Sequence, residues 1–255
     1  MHARSDAHST WFRRYTPRPD ADIQAVCFPH AGGAASYYRD WARALPARIE
    51  VLVAQYPARE DRLPEDPVDD LHRLADLAAE DLLRTADRPC VLFGHSMGAL
   101  VAYEVALRMQ RAGRTPARLF ASAQNAPGRR PPGGLGDASD DTLVRELREM
   151  GGTADAITEH PELLELLLPG MRGDYRAVDA YRPRTGTALT CPVTVLYGDA
   201  DPYVDPADAA AWAGATTADT ECVRFDGGHF YLRDRQAELL AAIADRVPLW
   251  DATRM

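Results

Sequence analysis

The pentapeptide GHSMG at residues 94–98 is the feature that most constrains how this chain can fold. It fits the pattern G-x-S-x-G, it directly follows the apolar run 91–93, and it directly precedes a helix-like run. So tight a turn between strand and helix strains the backbone of the serine, and the glycines let neighbouring backbones approach without a Cβ clash. The pattern predicts that Ser96 is a nucleophile at a helix N-terminus, with the Met97 amide able to donate to an oxyanion.

Strand and helix patterns alternate along most of the chain. Apolar runs bounded by turn residues predict buried strands at Ala25–Phe28, Val51–Gln55, Cys90–Phe93, Arg118–Ala121, Val193–Tyr197 and Cys222–Phe225. Helical patterns lie between and after them, at Leu71–Thr85, Ala99–Gln110 and Gln236–Arg246. This order predicts an α/β fold with a mostly parallel central sheet and helices on both faces. With 255 residues, of which 46% are hydrophobic, we expect one domain spanning residues 1–255.

One segment interrupts the alternation. Asn125–Asp137 is rich in proline and glycine, and two helical patterns follow it, Asp140–Met150 and Pro161–Tyr181. The sheet pattern resumes only at Pro192. We interpret residues 127–187 as a helical lid inserted over the catalytic edge of the sheet. The alternative is an ordinary crossover with two helices, although crossovers are usually much shorter.

A nucleophilic serine needs a base, and the base needs an acid that orients it. In a strand–elbow–helix architecture the chain order is serine, acid, histidine. Asp201 follows the predicted strand Val193–Tyr197. His229 follows the predicted strand Cys222–Phe225 and lies between a glycine and a phenylalanine. We predict a catalytic triad of Ser96, Asp201 and His229, in which His229 takes the serine proton and Asp201 holds the imidazole.

Other residues near these loops have alternative interpretations. Asp199 directly follows a strand-ending glycine and is expected to brace the turn, whereas Asp205 precedes a proline and is expected to cap a helix. Asp226 is a third alternative acid. His95 lies inside the elbow and is expected to pack beside the sheet.

A second oxyanion donor is expected in the sequence Phe28-Pro-His-Ala-Gly-Gly33, which follows an early strand. It is similar to the HGGG-type loop of lipases and esterases, and its glycines allow the Ala31 amide to face an acyl oxygen. The alternative is a plain structural Gly-Gly turn.

Charge and hydropathy restrict the partners. The net charge is −9, which leaves no broad basic footprint for nucleic acid or for an anionic membrane. Residues Met1–Thr10 are polar, and no apolar run is long enough for a membrane span. We therefore expect a cytoplasmic protein, and we expect a monomer because no coiled-coil pattern is present.

Six motifs together resemble the type II thioesterases of polyketide and nonribosomal peptide assembly lines: FPHAGGA at 28–34, YPAREDR at 56–62, FGHSMG at 93–98, LPGMRGD at 168–174, GDADP at 198–202 and GGHF at 227–230. The first two are the most specific to that family. The resemblance implies an α/β-hydrolase fold with a helical lid. It assigns the triad to Ser96, Asp201 and His229, and the oxyanion amides to Met97 and Ala31. Ala58 stands where the family usually has glycine.

The resemblance also implies a substrate class. Such enzymes hydrolyse acyl thioesters on the phosphopantetheine arm of acyl or peptidyl carrier proteins, and they clear wrongly loaded or stalled groups. The arm belongs to the partner, so we expect no cofactor and no metal to be held by this chain. Because carrier proteins are generally acidic, Arg129, Arg130, Arg172 and Arg176 are candidates for a basic rim near the lid; the alternative is that they are solvated surface arginines.

The sequence is compatible with three other functions. A general carboxylesterase or lipase-like hydrolase would share the triad chemistry. A product-releasing or cyclising thioesterase domain would share the family motifs, but an N-terminal methionine without an upstream carrier-protein motif leads us to expect a free-standing enzyme. A non-catalytic binding module is disfavoured because all three triad residues are present.

Overall fold

The computed structural model describes residues 9–129, 133–150 and 160–249. Its sheet consists of β1 (Phe12–Arg13), β2 (Ile23–Phe28), β3 (Ile49–Ala54), β4 (Cys90–His95), β5 (Arg118–Ser122), β6 (Val193–Gly198) and β7 (Thr220–Phe225). The strands lie in the order β1-β3-β2-β4-β5-β6-β7. Only β1 runs antiparallel to its neighbour; the other five pairings are parallel.

The central strands are buried along their whole length. Every residue of β2, β3 and β4 is buried, which requires cover on both faces of the sheet and explains their continuous apolar sequences. The parallel register pairs Phe28 with Gly94 and His95 with Ser122, so that the carboxyl ends of β2, β4 and β5 meet at one edge. The loops that follow these strands therefore lie side by side.

The helices are α1 (Trp41–Ala44), α2 (Leu71–Thr85), α3 (Met97–Arg111), α4 (Asp140–Met150), α5 (Pro161–Ala180), α6 (Pro206–Ala210), α7 (Tyr231–Asp234) and α8 (Gln236–Arg246). Helix α2 begins where Asp70 accepts a hydrogen bond from the Arg73 amide at 2.9 Å, and its apolar stripe is buried. Helix α3 is buried over most of its length and packs on β2, β4 and β5, with α2 beside it. Helix α1 packs against β3 and α8.

The predicted fold class is confirmed. All six predicted strands are present. Five of them extend one or two residues further at one end, whereas β3 begins two residues earlier than predicted and ends at Ala54, one residue before the predicted Gln55. The helices predicted at Leu71–Thr85 and Gln236–Arg246 begin and end as expected. Strand β1 was not predicted, because two residues are too short for a periodic pattern. Cys222, which lies in an apolar run, is exposed because β7 is an edge strand with a partly exposed face.

Helices α4 and α5 lie between β5 and β6 in the chain, as the inserted segment requires. They contribute to a small apolar cluster of Leu143, Leu168, Met171 and Tyr175 that is separate from the main core, and Ala31 packs against it. Residues 130–132 and 151–159 of the predicted lid fall outside the described ranges, so the boundaries 127–187 stay a prediction. Among the helices described, none has the length and apolar character needed to cross a membrane.

Candidate active site

Ser96 occupies the turn between β4 and α3 in a strained conformation. Its backbone angles are φ 54° and ψ −123°, which are unfavourable for a residue with a Cβ. The turn is held because the Ser96 amide donates to the Ser122 carbonyl at 2.8 Å. Although Ser96 is the N-cap residue of α3, its side chain makes no capping hydrogen bond. The hydroxyl is therefore not engaged by the first turn of the helix, as a nucleophile requires.

The two glycines of the elbow are required by close backbone contacts. A Cβ on Gly94 would lie 2.0 Å from the Gly98 carbonyl oxygen. A Cβ on Gly98 would lie 2.0 Å from the carbonyl oxygen of Phe28, the last residue of β2. The first turn of α3 thus lies directly against the loop that follows β2, which brings the predicted oxyanion loop beside the elbow.

His229 and Asp201 form a buried pair. Asp201 Oδ2 lies 2.9 Å from His229 Nδ1, and both side chains are at most 5% exposed. The other carboxylate oxygen, Oδ1, accepts the Tyr203 amide at 2.9 Å, which fixes the orientation of the carboxylate. With Nδ1 facing Asp201, the imidazole presents Nε2 on its opposite side. The His229 ring centroid is 5.2 Å from that of His95, the residue before Ser96, so the histidine loop and the elbow adjoin.

The three alternative aspartates have other partners. Asp199 Oδ1 accepts the Gly227 amide at 3.1 Å and so braces the turns after β6 and β7. Asp205 Oδ1 accepts the Ala207 amide at 2.7 Å and caps α6. Asp226 is exposed and lies 3.4 Å from Arg235. Of these four aspartates, only Asp201 contacts His229.

The loop after β2 engages the amides of Gly32 and Gly33 but not that of Ala31. The Gly33 amide donates to the His30 carbonyl at 2.9 Å, and the Gly32 amide donates to Asp174 Oδ2 at 2.7 Å. Within the described ranges no acceptor pairs with the Ala31 amide between them. Met97 is the first residue of α3, so its amide has no acceptor within the helix. These are the two amides predicted to hold an oxyanion, and both lie at the carboxyl edge of the sheet.

Two further histidines, His30 and His95, lie beside the site and are uncharged. Burial lowers the pKa of His30 to about 3, with smaller contributions from His229 and Arg59. Burial also holds the pKa of His95 well below its usual range. Both rings therefore stay neutral near pH 7 and leave His229 as the imidazole at this site that pairs with a carboxylate.

Sequence reasoning missed the residues that hold the site together. His95 Nδ1 lies 2.9 Å from Ser122 Oγ, which in turn lies 2.7 Å from the Tyr231 hydroxyl, so the elbow is connected to α7. Asn125 connects the end of β5 to the acid loop: its Nδ2 donates to the Tyr203 carbonyl at 3.1 Å, and its Oδ1 accepts the Asp205 amide at 3.2 Å. Their spacing in the sequence carries no signal, because each contact joins segments that are distant along the chain.

A second missed feature is a buried ion pair between Arg59 and Asp174, both 3% exposed. Arg59 lies in the motif YPAREDR and Asp174 in the motif LPGMRGD, and neither residue is assigned a role from the sequence. Burial raises the pKa of Asp174, and Arg59 opposes that shift. The pair joins the two motifs to each other.

A cavity of about 620 Å³ opens between the oxyanion loop and α5. Its walls include His30 and Gly33 from the loop, Leu163 and Leu167 from α5, and Tyr37 and Leu232 from the core side. The volume lies within the range of small-molecule binding sites. The lining is mixed: apolar side chains share it with the charged residues Arg59, Glu60 and Arg233. Neither Ser96 nor His229 is among the residues that line it, so the cavity adjoins the site through the oxyanion loop.

The arginines considered for a basic rim face carboxylates. Arg172 pairs with Asp140, Arg176 Nε lies 3.1 Å from Asp137 Oδ1, and Arg129 Nη1 lies 3.7 Å from Asp208 Oδ1. Arg130 lies outside the described residues. Because each of the other three arginines faces a carboxylate, they add little net positive charge to a basic rim. Nowhere in the described part of the chain do three histidine, cysteine or acidic side chains converge as metal ligands would.

The chain matches a known protein family and several named relatives. The family model "Thioesterase domain" matches residues 24–247. The chain is 40% identical to a probable cadicidin biosynthesis thioesterase of Streptomyces griseus, covering 89% of this chain and 63% of that protein. It is 38% identical to thioesterase PikA5 of Streptomyces venezuelae, covering 93% and 85%.

Solved structures extend the comparison. The type II thioesterase BorB from the borrelidin biosynthetic cluster superposes with a TM-score of 0.88 at 43% identity, covering 95% of this chain and all of that one. YbtT, a type II thioesterase from the yersiniabactin NRPS/PKS pathway, superposes with a TM-score of 0.85 at 28% identity, covering 94% and 98%.

Proposed function

Because this chain belongs to the thioesterase family, we propose that it hydrolyses acyl thioesters on the phosphopantetheine arm of carrier proteins in polyketide or nonribosomal peptide biosynthesis. The proposed role is editing, the removal of acyl groups that block the assembly line. The observation that carries the chemistry is the 2.9 Å contact between Asp201 and His229 in the loop beside the strained Ser96 elbow. The likeness over nearly the whole chain to type II thioesterases supports the substrate class.

Acylation is the first half of the proposed reaction. Ser96 Oγ attacks the thioester carbonyl carbon while His229 Nε2 takes the hydroxyl proton, and Asp201 stabilises the imidazolium that results. The carbonyl oxygen becomes an oxyanion, which the amides of Met97 and Ala31 stabilise by hydrogen bonding. When the carbon–sulfur bond breaks, His229 returns the proton to the pantetheine sulfur. The thiol leaves and the acyl group stays on Ser96 as an ester.

Deacylation repeats these steps with water. His229 takes a proton from a water molecule, which attacks the ester carbonyl, and the same amides stabilise the second oxyanion. Collapse returns the proton to Ser96 Oγ and releases a carboxylic acid. The acyl group occupies the cavity beside the oxyanion loop, whose walls at Leu163 and Leu167 suit a carbon chain.

Acyl release from an acyl-phosphopantetheinyl carrier protein tests this function. Wild type and Ser96→Ala are compared on the carrier-bound thioester and on an oxygen ester of the same acyl group. Ser96-dependent release that favours the carrier-bound thioester is the expected result. Ser96-dependent activity on the simple ester alone would move the function to a general esterase, and a cyclic product would indicate a releasing enzyme.

The identity of the acid is tested separately with Asp201→Asn and the matched variant Asp199→Asn. We expect Asp201→Asn to lower kcat by several orders of magnitude, because the amide orients the wrong imidazole tautomer. Asp199 braces the turn after β7 through the Gly227 amide, so its variant should keep most of the activity. Full turnover by Asp201→Asn would refute the assignment.

A further inference from the structure

One carboxylate oxygen joins three segments of the chain that are far apart in sequence. Asp174 Oδ2, on α5, accepts the Gly32 amide of the oxyanion loop at 2.7 Å. The same oxygen accepts a hydrogen bond from Arg59 Nη2, in the turn after β3. The inserted helix, the oxyanion loop and the charged turn therefore meet at a single atom.

This atom is buried, and the groups around it make further contacts. Arg59 Nη1 donates to the Pro57 carbonyl at 2.9 Å, and its guanidinium lies 5.1 Å from the Tyr56 ring centroid. The Tyr56 hydroxyl donates to the Pro29 carbonyl at 3.3 Å, so the turn and the oxyanion loop are also joined directly. A buried ion pair is weak evidence for stability, because its desolvation offsets its attraction. Its position at the loop is the more informative observation.

Helix α5 also packs closely on the loop through its backbone and side chains. A Cβ on Gly32 would lie 3.0 Å from Met171 Cε, and the φ of +74° at Gly32 favours glycine. A Cβ on Gly170 would lie 3.0 Å from the Ala58 carbonyl oxygen. Residues 170, 171 and 174 of α5 thus contact both turns, and they leave the loop little freedom while the helix is in place.

Two hydrogen bonds fix the two peptide units on either side of Ala31. The Ala31 amide belongs to the planar unit between His30 and Ala31, and the carbonyl of that unit accepts the Gly33 amide at 2.9 Å. The next unit, between Ala31 and Gly32, carries the Gly32 amide, and the bond of that amide to Asp174 at 2.7 Å fixes its plane. Without the bond to Asp174 the second plane can rotate, and the turn that holds the first plane is no longer fixed. The Ala31 amide, which has no acceptor within the described residues, is the donor that this turn presents to the acyl oxygen.

We propose that Asp174 is a positioning residue for the oxyanion hole: its carboxylate orients the loop 29–33, so that the Ala31 donor is in place only while α5 is docked. This inference rests on the proposed acyl-enzyme mechanism. It makes the position of the inserted helix a determinant of the chemical step as well as of substrate access.

The test compares Asp174→Ala, Asp174→Asn and the double variant Arg59→Met/Asp174→Asn with the matched control Asp179→Asn. Asp179 lies on the same helix and its Oδ2 also accepts a glycine amide at 3.1 Å, but this amide is that of Gly136 and not one of the oxyanion loop. The readouts are kcat and KM on the carrier-bound thioester, affinity for a trifluoromethyl ketone whose hemiketal oxygen mimics the oxyanion, and thermal unfolding.

Loss of one oxyanion donor typically lowers kcat about 100- to 1000-fold. We expect Asp174→Ala to lower kcat and ketone affinity in parallel by roughly 100-fold, with KM changed less than about threefold. The double variant keeps an oxygen acceptor for Gly32 without a buried unpaired charge, so it should regain at least about a tenth of wild-type kcat. Asp179→Asn should stay within about twofold of wild type in kcat.

Two results would overturn the inference. The first is a folded Asp174→Ala protein with kcat and ketone affinity near wild type. The second is a folded double variant whose kcat falls as far as the loss of an oxyanion donor would lower it, although the side-chain oxygen at position 174 can still accept the Gly32 amide. This result decides the question even if Asp174→Ala fails to fold. A wild-type protein without Ser96-dependent thioester hydrolysis would instead count against the proposed function itself.

Discussion

His30 makes the stability of this protein depend on pH in a way that can be calculated. An imidazole in the unfolded chain titrates near pH 6.5. In the folded protein burial, assisted by repulsion from His229 and Arg59, lowers the pKa of His30 to about 3. Below pH 6.5 the unfolded state therefore binds a proton that the native state does not. The free energy of unfolding falls with decreasing pH through 6.5 and continues to fall until His30 protonates near 3.

The magnitude follows from the interval between these values. One pH unit below the unfolded pKa changes the free energy of unfolding by about 1.4 kcal/mol per proton. About pH 5 lies roughly 1.5 units below it, so His30 contributes about 2 kcal/mol less stability there than at about pH 8. In His30→Gln this contribution is absent. The destabilisation caused by the substitution should therefore be about 2 kcal/mol smaller at the acid pH.

The assay is urea unfolding of wild type and His30→Gln at both pH values, followed by tryptophan fluorescence. The control is Tyr37→Phe, since the Tyr37 ring packs 4.9 Å from the His30 ring and its pKa is raised by burial to about 12. That substitution disturbs the same cluster without removing a group that titrates in this interval. It should show the wild-type pH dependence. An equal change in the free energy of unfolding between the two pH values, for wild type and for His30→Gln, would refute the reasoning.

Three further predictions concern the elbow, a strained turn and the cavity. Gly98→Ala places a Cβ 2.0 Å from the Phe28 carbonyl oxygen and should lower the free energy of unfolding by more than about 3 kcal/mol. The control is Gly113→Ala, whose Cβ would meet open space and which should lose only about 1 kcal/mol in the same thermal unfolding measurement. Ala58 has a φ of 61°, so Ala58→Gly should raise the free energy of unfolding by about 0.5 kcal/mol; a loss above about 1 kcal/mol would show that the lost methyl contacts dominate. Leu167→Trp reduces the cavity volume and should lower kcat/KM for long acyl chains by at least about tenfold, whereas kcat/KM for short chains should change less than about threefold. Equal losses of kcat/KM across an acyl series would contradict the cavity as the acyl site.

The elbow and the alternation of strands and helices could be predicted from the sequence alone. Continuous apolar strands and apolar helix stripes are local patterns, and they reflect burial that every arrangement of a parallel sheet requires. The loops carrying Asp201 and His229 follow predicted strands, so the carboxyl edge of the sheet places them near Ser96. The sequence also shows alanine at position 58, where the resembled family usually has glycine. The positive φ of Ala58 gives the physical reason why glycine suits that position.

Tertiary structure decided which of these residues touch. Sequence position proposed Asp201 as the acid, Asp199 as a turn brace and Asp205 as a helix cap, with Asp226 as a further candidate. The folded contacts separate them: Asp201 faces His229, Asp199 braces a turn and Asp205 caps a helix. The connection of Asp174 to Gly32 spans 142 residues, and no local pattern encodes it. Burial likewise exists only after folding, so the neutrality of His30 could not be deduced from the sequence. Local residues determine which elements form, whereas long-range packing determines the charge, the hydrogen-bond partners and the orientation of the groups that do the chemistry.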